Sequence, residues 1–179
     1  MVLVIDEVGF NKPLQRYGYG EIGKPVILYT RKRIDNLTCT ACISVNAVEA
    51  LRFFDEGGTK NENYAEYFEM LLKEMQTKFP GKTLLFVQDN LWAHKSTLIC
   101  RLMDKDRTKM LLTPANTPEF SPIENMFSFV KKRLKFLAYE DQQQVAMEVA
   151  KTMFKLEQKE IRGFWRRTLG NMLDFWSDK

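Results

Sequence analysis

The sequence predicts an α/β protein, with a mixed central sheet of about five strands flanked by helices and extra helices at the C-terminal end. Three observations carry this. Two continuous apolar runs, "MVLVID" and "KTLLFVQD", are bounded by polar residues, the pattern of strands covered on both faces. Between them, apolar and β-branched runs are separated by Gly- and Asn-rich punctuation. From Ser121 onward the apolar residues recur at helical spacing.

Taken in order, "MVLVID" is the first strand and ends at Asp6. The runs "KPVILYTR", "NLTCTACISVNA" and "ALRFF" follow as an antiparallel meander, punctuated by "YGYGEIGK" and "DEGGTKNEN". In "NENYAEYFEMLLKEMQTKF" the residues Tyr64, Tyr67, Phe68, Leu71, Leu72 and Met75 fall on one helical face, and "PGK" stops that helix. "KTLLFVQD" is the second acid-ending strand and closes at Asp89. "AHKSTLICRLM" reads as a short helix and "TKMLLTP" as a short strand. The helix opened by Ser121 runs through "IENMFSFVKKRLKFL" on a core stripe of Ile123, Phe127, Val130, Leu134 and Leu137. A second stripe, Glu124, Ser128, Lys131 and Lys135, lies roughly 100° round from it. The rest forms two more helices, the last with Ile161, Trp165, Leu169, Met172 and Trp176 on one side. With no repeat, low-complexity tract or linker, residues 1–179 are expected to form a single domain.

A chain of 179 residues, 45% hydrophobic and 28% charged, can bury a full core. It holds no run of about eighteen apolar residues to span a bilayer, and its first residues meet an acid too early for a signal peptide. An intracellular location is expected, the nucleus in a eukaryote. The net charge of +4 permits a polyanionic partner without arguing for one, so the local arrangement of charge must decide. Three cysteines without a secretory signal make a disulfide framework an unsuitable reading. Cys39 and Cys42 stand three apart in a strand, so they face opposite ways and cannot share a metal ion. A four-ligand zinc site would need all three cysteines and the single histidine, and buried free thiols are the expectation instead.

"SPIENMF" carries a reciprocal capping box: Ser121 at the N-cap, Pro122 at the first helical position, Glu124 three residues after the cap. Folded back onto the Ser121 amide, Glu124 is a cap, the pose expected without metal. Turned toward Asp6 and Asp89, it is a ligand, and its place in the first turn favours the ionised form that a metal needs. If the strands ending at Asp6 and Asp89 are neighbours and this helix packs beside them, three carboxylates converge. Two like charges about 4 Å apart repel by roughly 4 kcal/mol at an effective dielectric near 20, which a cation relieves. All-oxygen ligands favour Mg²⁺ or Mn²⁺ over zinc, and a pair of such ions suits in-line attack on a phosphodiester. Strand-end acids also serve as turn and cap residues, so spacing alone leaves both readings open.

"VIDEVGF", "FVQDNLWAHKS" and "TPEFSPIENMFSFVKKRLK" together resemble the three signature blocks of the mariner superfamily of DDE transposases, including its bacterial insertion-sequence relatives. Between Asp89 and Glu124 stand 34 residues, a separation this superfamily uses between its second and third acids. "YGYGEIGKP" is similar to the family's aromatic, Gly-containing stretch after the first acid. The resemblance covers about residues 1–137, leaving 138–179 as C-terminal helices. It implies an RNase H-like fold, with Asp6, Asp89 and Glu124 as the catalytic, metal-binding triad for two Mg²⁺ or Mn²⁺ ions. Asn90 and His94 match the polar positions after the second acid and are read as site-adjacent. The family's usual Asn-Pro before "IE" is Ser121-Pro122 here, and its Trp three residues after the Glu is Phe127. Glu7 also fits the motif, but adjacent strand residues face opposite ways, so it is not expected to share the metal.

The implied activity is metal-dependent DNA strand cleavage followed by strand transfer, with transposon ends and target DNA as partners and a homodimer acting on DNA. Lys131, Lys132, Arg133 and Lys135 form a basic ridge leading from Glu124, a track for a phosphate backbone or else a solvated helix face. The "RKR" at 31–33 and "WRR" at 165–167 are weaker candidates, with Trp165 read as core. The helix-turn-helix modules that precede this catalytic domain in the family are expected to be absent, the sequence being either a fragment or excised domain or a product that retains only the catalytic module. Autonomous transposition is therefore not predicted, and a separate sequence-specific DNA-binding module is implied. The main alternative is a domesticated or decayed domain that binds DNA or protein without catalysis; a third reading is a stand-alone nuclease or resolvase.

Overall fold

The computed structural model describes residues 1–10, 20–24, 36–54, 61–90, 97–103, 107–114, 117–134 and 141–177. Five strands form one sheet: β1 (Val2–Phe10), β2 (Leu37–Ile43), β3 (Val48–Phe54), β4 (Leu84–Gln88) and β5 (Thr108–Leu112). Their spatial order is β3-β2-β1-β4-β5. β1, β2 and β3 pair antiparallel, while β1, β4 and β5 run parallel, so the sheet is mixed as expected. The segment "KPVILYTR" lies outside the described residues.

The helices are α1 (Asn61–Lys78), α2 (Thr97–Leu102), α3 (Pro122–Leu134), α4 (Gln142–Phe154) and α5 (Gln158–Ser177). On one sheet face α1 buries Tyr64, Phe68, Leu71 and Met75 against Leu3, Ile5 and Phe86. Each such side chain contributes on the order of 1.5–3 kcal/mol. Beyond α1, Gly81 takes φ +73°, a left-handed conformation that only glycine adopts without cost. On the other face α3, α4 and α5 cover Val4, Val8 and Cys39 with Ile123, Phe127, Val130, Val149 and Ile161. Met126 joins the predicted core stripe of α3, and Leu137 lies outside the described residues. Asp141 caps α4 by accepting from the Gln144 amide at 2.8 Å.

Three expectations are corrected. β1 does not end at Asp6 but continues to Phe10, because β2 goes on pairing with it after β4 has stopped. The apolar stripe of α5 is not a continuous core face: Ile161 is buried, but Leu169 and Trp176 are 54% and 71% exposed, since the helix runs past the elements that cover its start. Of the three thiols, Cys39 and Cys42 are buried on opposite faces of β2 as expected, whereas Cys100 is exposed on the short α2. Burial pushes the Cys39 thiol up to about 12 and that of Cys42 well above its usual range, so neither is poised as a thiolate. Among the described residues no helix is long and apolar enough to cross a membrane.

Candidate active site

The register of the parallel pair brings the first two acids together. Val4 of β1 faces Val87 of β4, so two steps further along each chain Asp6 stands level with Asp89, the first residue beyond β4. Both acids are in phase with the valines and therefore lie on the sheet face covered by α3. β1 parts from β4 after Val4, so Asp6 lies just past the last β1–β4 pair and its own pairing is with Ala41 of β2. That divergence leaves an opening at the carboxyl end of β4, where α/β sheets commonly hold ligands.

A cavity of about 280 Å³ fills the opening. Val4 and Val87 line its base, and the carboxylate residues Asp6, Asp89 and Glu124 line it together. Its volume is several times the roughly 30 Å³ that a water molecule takes in the liquid, enough for ions with some of their hydration. Residues of the β5–α3 connection, including Thr113, Thr117 and Ser121, form another wall. Sequence reasoning did not assign these to the site; their signal, the Thr- and Pro-rich "TPANTPEFSP", reads only as loop composition. Asn90 lines the cavity as expected, and His94 lies outside the described residues.

Glu124 reaches the cavity from the first turn of α3, but not from a capping box. A 3-10 turn, Pro118–Phe120, precedes the helix, and the Ser121 N–H donates to the Pro118 carbonyl at 3.0 Å. The amide that the cap needed is already used, which corrects the expected resting pose. Local turn geometry competes with a side-chain cap for that amide and prevails.

The electrostatics of the cluster are those of crowded acids. Burial pushes the Asp6 carboxyl from its ordinary 3.8 up to about 7; the Glu7 N–H, donating to its Oδ1 at 2.8 Å, opposes this, and the charges of Glu124, Asp89 and Glu7 add to the rise. A shift of this size in a cleft is itself a functional signal. Glu7 points to the opposite face, in phase with Leu3 and Ile5, as its neighbour relationship requires.

An all-oxygen, anionic donor set fits a hard divalent cation such as Mg²⁺ or Mn²⁺. Asp6, Asp89 and Glu124 are the residues that would hold it. Among the described residues no three acidic, His or Cys side chains form a closed ligand group as they stand. The fit therefore rests on the shared cavity and mutual repulsion, with side-chain rotation needed to close the ligand set.

The ridge residues Lys131, Lys132 and Arg133 are all exposed. Lys131 stands two turns beyond Glu124, about 10 Å along the helix axis, with its Nζ 6.0 Å from the centre of the Phe10 ring. Arg133 is turned toward α5, 3.9 Å from Glu160 and 4.6 Å over the Phe129 ring. Lys135 and the "RKR" at 31–33 lie outside the described residues. Trp165 is half-buried, and its Nε1–H donates to the Ser44 carbonyl at 3.0 Å.

The family described as "DDE superfamily endonuclease" matches residues 1–146, a span that ends before α5. Among solved structures, the chain is similar to a Mos1 transposase paired-end complex with left transposon end, at 15% identity and a TM-score of 0.75 over 93% of this chain and 51% of that one. It is similar also to a Mos1 mariner paired-end complex with Mn, at 14% identity, TM-score 0.78, 93% of this chain and 52% of that one. A third is the catalytic domain of Mos1 mariner transposase, at 13% identity, TM-score 0.70, 93% of this chain and 74% of that one. The chain thus spans about half the length of the first two. The fold is the RNase H-like one that the signature blocks implied. No curated protein matches the chain in sequence.

Proposed function

This chain belongs to the DDE superfamily of endonucleases, and from that premise we propose that it is a mariner-type transposase catalytic domain that cleaves DNA strands and joins the freed 3′-hydroxyl to target DNA. The observation that carries the reading is the convergence of Asp6, Asp89 and Glu124, from two parallel strands and one helix, on a single cavity. Lone strand-end acids would have no reason to meet.

In this reading Asp6, Asp89 and Glu124 would hold two Mg²⁺ or Mn²⁺ ions, which would supply activation of the attacking oxygen and stabilisation of the leaving one. Asp6 must give up its proton for that, and its high affinity for the proton couples metal loading to pH. Rigid placement of Asp6 within β1 and of Asp89 at the end of β4 fixes two ligands on the sheet, while Glu124 supplies the third from α3. Asn90 stands at the cavity beside Asp89, where its amide can orient a phosphate oxygen. Lys131 and Lys132 present charge along the helix that leads away from the acids, a track for the DNA backbone. Arg133, engaged with Glu160 and Phe129, contributes less to that track. A homodimer on DNA, a separate sequence-specific DNA-binding module and an intracellular location complete the proposal. Intact acids in one cavity favour catalysis over a decayed binding module.

The test is strand nicking of a labelled duplex with Mg²⁺ or Mn²⁺, comparing the native chain with Glu124→Gln and Asp89→Asn. Nicking by the native chain and its loss in both variants is expected. Equal nicking by all three would sink the assignment, and metal-independent activity would remove its chemistry.

A further inference from the structure

Glu124 has no cap to hold it, yet metal ligands must be placed to within a few tenths of an ångström. The segment that carries it is only partly buried: Glu119 is exposed, and Phe120 and Ser121 are half-buried. Contacts to this segment come from α5. The Asn171 Nδ2–H donates to the Glu119 carbonyl at 3.2 Å, and the Phe175 ring packs edge-on against Phe120 with centroids 5.5 Å apart. Inside α3, Asn125, the residue next to Glu124, donates from Nδ2 to Thr168 Oγ1 at 3.1 Å. Thr168 is 2% exposed, on the same helix as the largely exposed Leu169 and Leu173. A valine would fill its place without the cost of desolvating a hydroxyl, a cost that the bond to Asn125 offsets. That bond ties the first turn of α3 to α5.

We propose that α5 is a positioning element for the third acid, with Thr168 and Asn171 as positioning residues that hold Glu124 toward Asp6 and Asp89. The inference rests on the reading of these acids as a metal-binding triad. Removal of a group that orients a metal ligand commonly weakens metal affinity about 10- to 100-fold.

The experiment is a calorimetric titration of the full 179-residue chain with Mn²⁺ alone, alongside thermal unfolding. Thr168→Val and Asn171→Ala are expected to weaken Mn²⁺ binding about ten-fold each. Thr168→Ser, which keeps the hydroxyl, restores affinity. Trp165→Phe removes a bond from α5 that goes to the Ser44 carbonyl rather than to the segment carrying Glu124, and is expected to lower thermal stability while leaving Mn²⁺ affinity as in the native chain. Native affinity in folded Thr168→Val, or equal weakening by Trp165→Phe, overturns the inference. Should Thr168→Val not fold, Asn171→Ala, with its more accessible side chain, decides the matter by the same criterion. Asp6→Asn and Glu124→Gln separate the two levels. If they abolish Mn²⁺ binding while Thr168→Val and Asn171→Ala do not weaken it, only the positioning role falls; if they leave binding unchanged, the triad reading falls with it.

Discussion

The backbone N–H of Ser121 donates to the carbonyl of Pro118 at 3.0 Å, and this single bond separates two roles that the sequence had assigned to Glu124. With the amide occupied, the carboxylate does not close the helix end. Glu124→Gln should therefore cost little stability: it forfeits the favourable charge in the first turn, about 0.3–1 kcal/mol, and gains by relieving repulsion on Asp6. Urea denaturation should place the variant within about 1 kcal/mol of the native chain; a loss well above the roughly 1 kcal/mol of a helix cap would restore the capping role.

The raised proton affinity of Asp6 makes metal-free stability depend on pH. Its folded value, about 7, lies above its ordinary 3.8, so the stability it contributes is fully present below about pH 4 and is lost as the pH rises through 7. In EDTA, unfolding free energy should fall between pH 5 and pH 8 by an amount on the order of 2–4 kcal/mol, and Asp6→Asn should flatten that dependence. Identical pH profiles for the two proteins would refute the assignment of the effect to Asp6.

Tyr64 and Gln88 form a buried pair across the other face of the sheet, the phenol donating to Oε1, while Gln88 Nε2 lies 3.0 Å from Met110 Sδ. Gln88 immediately precedes Asp89, and its backbone carbonyl accepts from Thr113 N at 2.9 Å. Tyr64→Phe leaves a buried amide oxygen without this donor and should destabilise the fold by about 1–3 kcal/mol. Thermal unfolding checks this, and a variant as stable as the native chain would show the pair to be dispensable.

If the ridge on α3 tracks a DNA backbone, Lys131 and Arg133 should differ. Lys131→Ala should weaken duplex binding and lower the magnitude of the logarithmic salt slope by about 1, regardless of sequence. Arg133→Ala should change the slope less, because its guanidinium is turned toward Glu160 and Phe129. Fluorescence anisotropy at several salt concentrations distinguishes them; the same slope for both variants would contradict a track that runs past Lys131.

Much of the fold was legible because its signals are local. The apolar runs of β1 and β4, the helical spacing of α1 and the core stripe of α3 each depend on residues a few positions apart, and these residues were buried or half-buried as their patterns required, save Val2, which is exposed, and Leu137, which lies outside the described residues. The opposed faces of Cys39 and Cys42, and of Asp6 and Glu7, followed from strand alternation alone. The signature blocks picked out Asp6, Asp89 and Glu124 in advance as residues that belong together.

Tertiary structure decided what depends on competition between distant groups. The pairing of Val4 with Val87 brings Asp6 level with Asp89, a relationship between segments more than eighty residues apart that no local pattern encodes. Burial within that junction, and the charges brought to it, raise the proton affinity of Asp6. The 3-10 turn at Pro118–Phe120 and the α5 contacts to Glu119 and Asn125 determine how Glu124 is held. The identities of the three acids were written in the chain, because chemistry constrains residue type. Their shared cavity and the state of their protons arose only on folding, because both are set by what else the fold places beside them.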